Sequence, residues 1–167
     1  MRSLLFFCLI LTFYLPLAKA QKSFGVGDTL PNFSYPGQFT KSYQLNELKG
    51  SYVLIHCWAS WNEESRKMQM EFIDHFIRFK DKRFKNGRRF QIISISLDHD
   101  KALWELALKK DNLPWKMQVC DTKGWESPLI NLLDISVIPK NYLIDPRGII
   151  LKINVTPEEL LQTLKSF

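Results

Sequence analysis

Few residues in this chain of 167 carry groups able to do chemistry at neutral pH: three cysteines, three histidines, and the hydroxyls and carboxylates near them. Cys57 and Cys120 could form one disulfide or offer a thiolate, given the right separation or a lowered pKa. Far apart in sequence and set in apolar runs, they are expected to be two buried, inert thiols, since free cysteine behaves as a small core residue. His56 and Ser65 suggest a hydroxyl nucleophile with an imidazole base. No nucleophile elbow and no orienting acid accompany them, so His56 is expected to be a core residue. His75 and His99 lack zinc or copper ligand spacing, and no glycine-rich phosphate loop occurs. Neither a metal nor a cofactor is expected.

The elements that must position these groups centre on Val53 to Met70. Val53-Leu54-Ile55-His56-Cys57-Trp58 follows the Lys49-Gly50 turn signal as a short, β-rich apolar run, the pattern of a buried parallel strand. Asn62 then suits a helix N-cap, Glu63 and Glu64 complement the positive end of the helix dipole, and Met68, Phe72, Ile73, Phe76 and Ile77 recur at helical spacing. Loss of the Asn62 cap should cost about 0.5–2 kcal/mol. Ser65, inside the first turn, should matter less.

This strand, turn and helix resemble the active-site segment of thioredoxin-like proteins, most closely the TlpA-like extracytoplasmic thiol-disulfide oxidoreductases of the redoxin (AhpC/TSA-like) branch. Trp58-Ala59-Ser60-Trp61 matches the family's approach to Cys-x-x-Cys, while Asn62 and Ser65 stand where the two cysteines would be. The family's Arg/Lys-x-Glu-x-Pro continuation is present as Arg66-Lys67-Met68-Gln69-Met70, so Met68 replaces a carboxylate and Met70 a proline. Ile138-Pro139 resembles the family's Ile/Thr-Pro, whose cis peptide faces the active site and leaves backbone groups free for an extended substrate segment. Leu30-Pro31-Asn32-Phe33 resembles its Ala-Pro-x-Phe opening. The resemblance implies a thioredoxin-like α/β fold, with a central mixed β-sheet flanked by helices and an N-terminal hairpin extension.

Thiol-disulfide exchange needs an attacking thiolate and a second thiol to resolve the mixed disulfide. An amide at 62 and an alcohol at 65 supply neither. The degenerate positions Asn62, Ser65 and Met68 are therefore expected to be catalytically silent. Trp61, Asn62, Glu63, Glu64, Ser65, Ile138 and Pro139 become candidate binding residues, with an extended protein segment or an exported protein as partner. The alternative is a thiol oxidoreductase or antioxidant protein using Cys57 or Cys120.

The remaining chain agrees with one domain. Residues 1–20 show the layout of a secretory signal, with Arg2, an apolar run and Ala18-Lys19-Ala20 before a cleavage site at Gln21, leaving 21–167 as the domain. The expected location is periplasmic or otherwise extracytoplasmic, with no stable membrane anchor after cleavage. Phe90 to Asp98 forms a second strand pattern, Asp100 caps a helix over Lys101 to Lys110 with Leu103, Trp104, Leu106 and Ala107 on its apolar face, and Ser127 caps a short helix. Pro146 and Gly148 turn a hairpin into Ile149 to Ile153, and Thr156-Pro157-Glu158-Glu159 opens a last helix with a capping box. The formal charge is +6. Seven cations crowd Arg78, Lys80, Lys82, Arg83, Lys85, Arg88 and Arg89. They are assigned to the C-terminal end of the first helix, where cations are favoured, and no nucleic acid partner is expected.

Overall fold

The computed structural model describes residues 23–36 and 42–167. The signal-like segment and the Gly37 end of the Pro36-Gly37 turn lie outside the described residues.

A short hairpin comes first, β1 (Ser34–Pro36) antiparallel to β2 (Ser42–Gln44). The central sheet takes β3 (Tyr52–Trp58), β4 (Phe90–Ser96), β5 (Met117–Cys120), β6 (Lys140–Ile144) and β7 (Ile150–Ile153) in the order β5-β4-β3-β6-β7. β3, β4 and β5 are parallel, whereas β6 and β7 join antiparallel. Parallel neighbours need crossover connections, supplied by α1 (Glu63–Phe79) and α2 (Lys101–Asp111). α3 (Pro128–Leu132) and α4 (Pro157–Lys165) complete the set.

Strand alternation divides the core between two faces. Tyr52, Leu54, Phe90, Ile92 and Leu143 pack against Phe72, Phe76 and Phe79 of α1 and Leu160 and Leu164 of α4. Val53, Ile55, Cys57, Ile93, Ile95, Tyr142 and Ile144 point the other way, onto Leu30, Phe33, Tyr35, Leu45, Ile130 and Leu133. Each large side chain so buried stabilises the fold by about 1.5–3 kcal/mol. Trp104 and Ala107 bring α2 onto Trp58.

Helical spacing alone misplaced part of two helix faces. On α1 the buried stripe runs through Ser65, Gln69, Phe72, Phe76 and Phe79, leaving Ile77 exposed. On α2 only Trp104, Ala107 and Asp111 are buried, while Leu103 and Leu106 face solvent. β4 ends at Ser96, so Asp98 is free to turn inward, and Ile149 bridges Thr29 before β7 begins. α1 stops at Phe79 with Lys80 as its C-cap, so only the first two of the seven clustered cations are at the helix end.

Candidate functional site

The candidate site is the turn from β3 into α1, at the carboxyl end of the parallel strands. Trp58 and Ala59 are fully buried and fix the end of the strand. Beyond them, the Ser60 amide and hydroxyl both donate to the Asp98 carboxylate, at 2.9 and 2.5 Å. Asp98 also accepts from Ser96 Oγ at 2.5 Å and is itself buried. One carboxylate therefore clamps the turn to the end of β4, and hydrogen bonds to a charged acceptor are the stronger kind. Trp61 projects from the clamped turn, 59% exposed.

Asn62 is the N-cap: extended in backbone conformation, with Oδ1 accepting from the Ser65 amide at 2.8 Å. Ser65 is completely buried, its hydroxyl donating to the Asn62 carbonyl at 2.9 Å and accepting from the Ala59 amide at 3.3 Å. Both side chains are spent on closing the turn. Glu63 and Glu64 stand exposed in the first turn. Arg66 reaches α2 through a two-pronged pair with the buried Asp111.

His56 lies beneath α1, its Nε2 3.2 Å from the carbonyl oxygen of Ser65 and its ring edge-on to Phe72. The contact is to the Ser65 backbone, so no hydroxyl–imidazole pair forms. Burial lowers the His56 pKa to about 4, opposed by that backbone bond. The ring is neutral at physiological pH. It is less fully satisfied than a core histidine is expected to be, because its buried Nδ1 has no hydrogen-bond partner among the described residues. Met68 lies next to the same region, its sulfur 3.7 Å from the amide nitrogen of Asn141.

Cys57 and Cys120, the cysteines among the described residues, are free and cannot meet. β4 lies between their strands, which places their Cα atoms roughly 10 Å apart, beyond disulfide reach. Cys120 shares its row with Ser96 and Trp58, whereas Cys57, one residue earlier on β3, points to the other face. Burial pushes the Cys57 thiol up to about 12, despite the lowering influence of Lys140. Cys120 departs from the expected full burial: it is half-buried, with Sγ donating to the Asp98 carbonyl at 3.6 Å, and desolvation raises its pKa. Neither site favours a thiolate.

Antiparallel register brings the second candidate segment to the same place. Cys57 faces Lys140, so one position further Pro139 comes level with Trp58, just before the turn. The Ile138–Pro139 peptide is cis, with Ile138 buried and Pro139 half-exposed. Sequence spacing singles out neither Val137, 57% exposed beside this proline, nor Trp125, 42% exposed after β5. Gly124, at the left-handed φ of +54°, lies against the ring tip of the exposed His99, which would have to move aside for a Cβ there. Asp98, too, had no sequence signal beyond its place at a strand end. Among the described residues no cluster of three or more His, Cys, Asp or Glu could hold a metal ion.

Comparison with known proteins agrees with this geometry. Residues 26–153 match the AhpC/TSA family. The chain is 23% identical over 142 residues to the thiol-disulfide oxidoreductase ResA of Bacillus subtilis, covering 85% of this chain and 74% of that protein. Among solved structures, a thiol-disulfide oxidoreductase from Bacteroides fragilis superimposes with a TM-score of 0.71 at 33% identity, covering 83% of this chain and 98% of the other. The thioredoxin domain of a thiol-disulfide oxidoreductase from Bacteroides vulgatus gives 0.75 at 28% identity, with 87% and 99% covered.

Proposed function

The chain belongs to the AhpC/TSA family and has the thioredoxin-like fold, and from that premise we propose that it is an exported binding or assembly module without thiol-disulfide exchange at the usual helix start. The observation that carries this reading is the use of Asn62 and Ser65. Where the family resemblance calls for two thiols, an amide and a hydroxyl close the helix turn with hydrogen bonds to the local backbone. That arrangement stabilises a helix terminus and offers no nucleophilic sulfur. Chemistry relocated to Cys57 or Cys120 gains no support, since desolvation raises both thiol pKa values.

The binding surface in this reading is the end of the sheet that carries exposed Trp61, Glu63 and Glu64 with half-buried Asn62 and Pro139; Ser65 and Ile138, binding candidates on sequence, are buried beneath it and can act only by shaping it. Exposed Trp61, Val137 and Trp125 supply apolar contact, and the segment before β6 offers backbone groups to an extended polypeptide. Calorimetric titration with an unfolded polypeptide whose thiols are carboxamidomethylated tests it. Trp61→Ala should weaken binding by about tenfold or more, the loss typical of an aromatic anchor, while the Cys57→Ser, Cys120→Ser variant should bind like the parent. Equal affinity for the parent and Trp61→Ala would remove this surface from consideration.

A further inference from the structure

We propose that the loop 80–89, at the opposite end of the sheet from Trp61, is a docking surface for the phosphate groups of anionic lipid headgroups. Helix capping accounts for little of its charge. Arg78 is in the last turn of α1 and Lys80 is the C-cap, where cations are favoured. Lys82 donates to the Leu164 carbonyl at 3.1 Å and lies over the Phe79 and Phe84 rings. Arg88 donates to the Lys49 carbonyl at 3.3 Å. Arg83, Lys85 and Arg89 are different: among the described residues none has a side-chain hydrogen bond or a carboxylate within ion-pair reach, and all are exposed. The nearby acids are committed elsewhere, Asp81 to Lys80 and Asp145 to Arg147.

The loop is also held rigidly. Phe84 is buried against Tyr52 and Phe79, with ring centroids 4.8 and 6.3 Å away, and bridges Gly87. Gly87 is pressed onto Pro146 and Tyr52 so closely that a Cβ would meet the proline ring at 2.8 Å. Arg83, Arg88 and Arg89 line a cleft of about 580 Å³ around this anchor. Such a concentration of like charge is self-repelling and calls for counter-charge, and guanidinium forks match phosphate oxygens two at a time.

A headgroup layer is favoured over a folded acidic protein by what the surface lacks. Protein interfaces are anchored by exposed aromatic or apolar side chains, and none of the exposed large apolar residues falls within the loop 80–89, where Phe84 is buried; the nearest in sequence is the single Ile77, a turn back on α1. Attraction to anionic lipid needs only the cations. This inference is independent of the function proposed above and uses the other end of the sheet.

Vesicle co-sedimentation tests it, using the chain from Gln21 onward, which holds every core residue of the two main clusters. Vesicles of mixed phosphatidylglycerol and phosphatidylcholine should retain the protein and phosphatidylcholine alone should not, with retention falling as salt rises. Arg83→Gln, Lys85→Gln, Arg89→Gln together should weaken retention by roughly fivefold per cation removed. Trp61→Ala should leave it unchanged. Arg89→Gln alone serves if circular dichroism shows the triple variant unfolded. Failure to bind anionic vesicles, equal binding to neutral ones, or undiminished binding by the variants would overturn the proposal. So would tighter capture by polyglutamate or a DNA duplex at the same salt, which would assign the surface to an acidic polymer instead.

Discussion

Ser65 is held harder than its place in the first turn of α1 suggests, because its hydroxyl accepts from the buried Ala59 amide as well as donating to the Asn62 carbonyl. The expectation that Ser65→Ala costs less than Asn62→Ala is therefore reversed. Asn62→Ala should lose about 0.5–2 kcal/mol, the range for an N-cap, whereas Ser65→Ala leaves a buried amide unpaired at a cost of about 1–3 kcal/mol. Chemical denaturation of the two variants gives the order directly. His56 makes a second residue-scale prediction. Its folded pKa, about 4, lies below the ordinary 6.5, so the unfolded chain binds the proton more tightly. The stability this contributes is fully present above about pH 6.5 and is lost as pH falls toward about 4, by up to ~3 kcal/mol. His75, also lowered chiefly by burial, adds to the same slope. A urea series across that window should show stability falling with pH, and His56→Gln should flatten the curve without abolishing the slope.

At the scale of elements, the strands, the helix start at Asn62 and the closing capping box are local patterns and could be placed from sequence. The capping box is present in full, Thr156 and Glu159 exchanging bonds at 2.9 and 3.2 Å. What sequence could not supply is register. Asn141, His56, Ser94 and Gln118 come from four different strands, and only pairing aligns them in a row across the sheet. All four are buried, and Ser94 accepts from the Trp115 indole at 2.9 Å. The Asp98 clamp was hidden for the same reason: its partners are Ser60, in the turn after β3, and Ser96, the last residue of β4. The misplaced faces of α1 and α2 have a related cause, since Leu103, Leu106 and Ile77 fit helical spacing yet are more than half exposed in the fold. Asp98→Ala strands the Ser60 amide and two hydroxyls at once and should cost about 3 kcal/mol or more, with hydrogen exchange rising first in residues 59–62. An unchanged midpoint would mean the turn is held without the clamp.

For the whole molecule, one sheet presents two unlike ends. β3 and β4 run in parallel from the cationic loop to the Trp61 turn, a span of roughly 20 Å, so the two surfaces can be altered separately. The fold is that of the oxidoreductases it resembles, and fold does not by itself establish activity. Restoring Asn62→Cys and Ser65→Cys should return a reducible disulfide to the helix start. Turnover should stay weak, because Met68, against Asn141, offers no carboxylate for proton transfer.

The most direct measurement is insulin reduction by the unaltered protein, set beside a Cys-x-x-Cys thiol-disulfide oxidoreductase assayed at equal concentration. The account predicts no turnover above buffer, and no change when Cys57 and Cys120 are both replaced by serine. Turnover comparable to the oxidoreductase, abolished by either serine substitution, would contradict it.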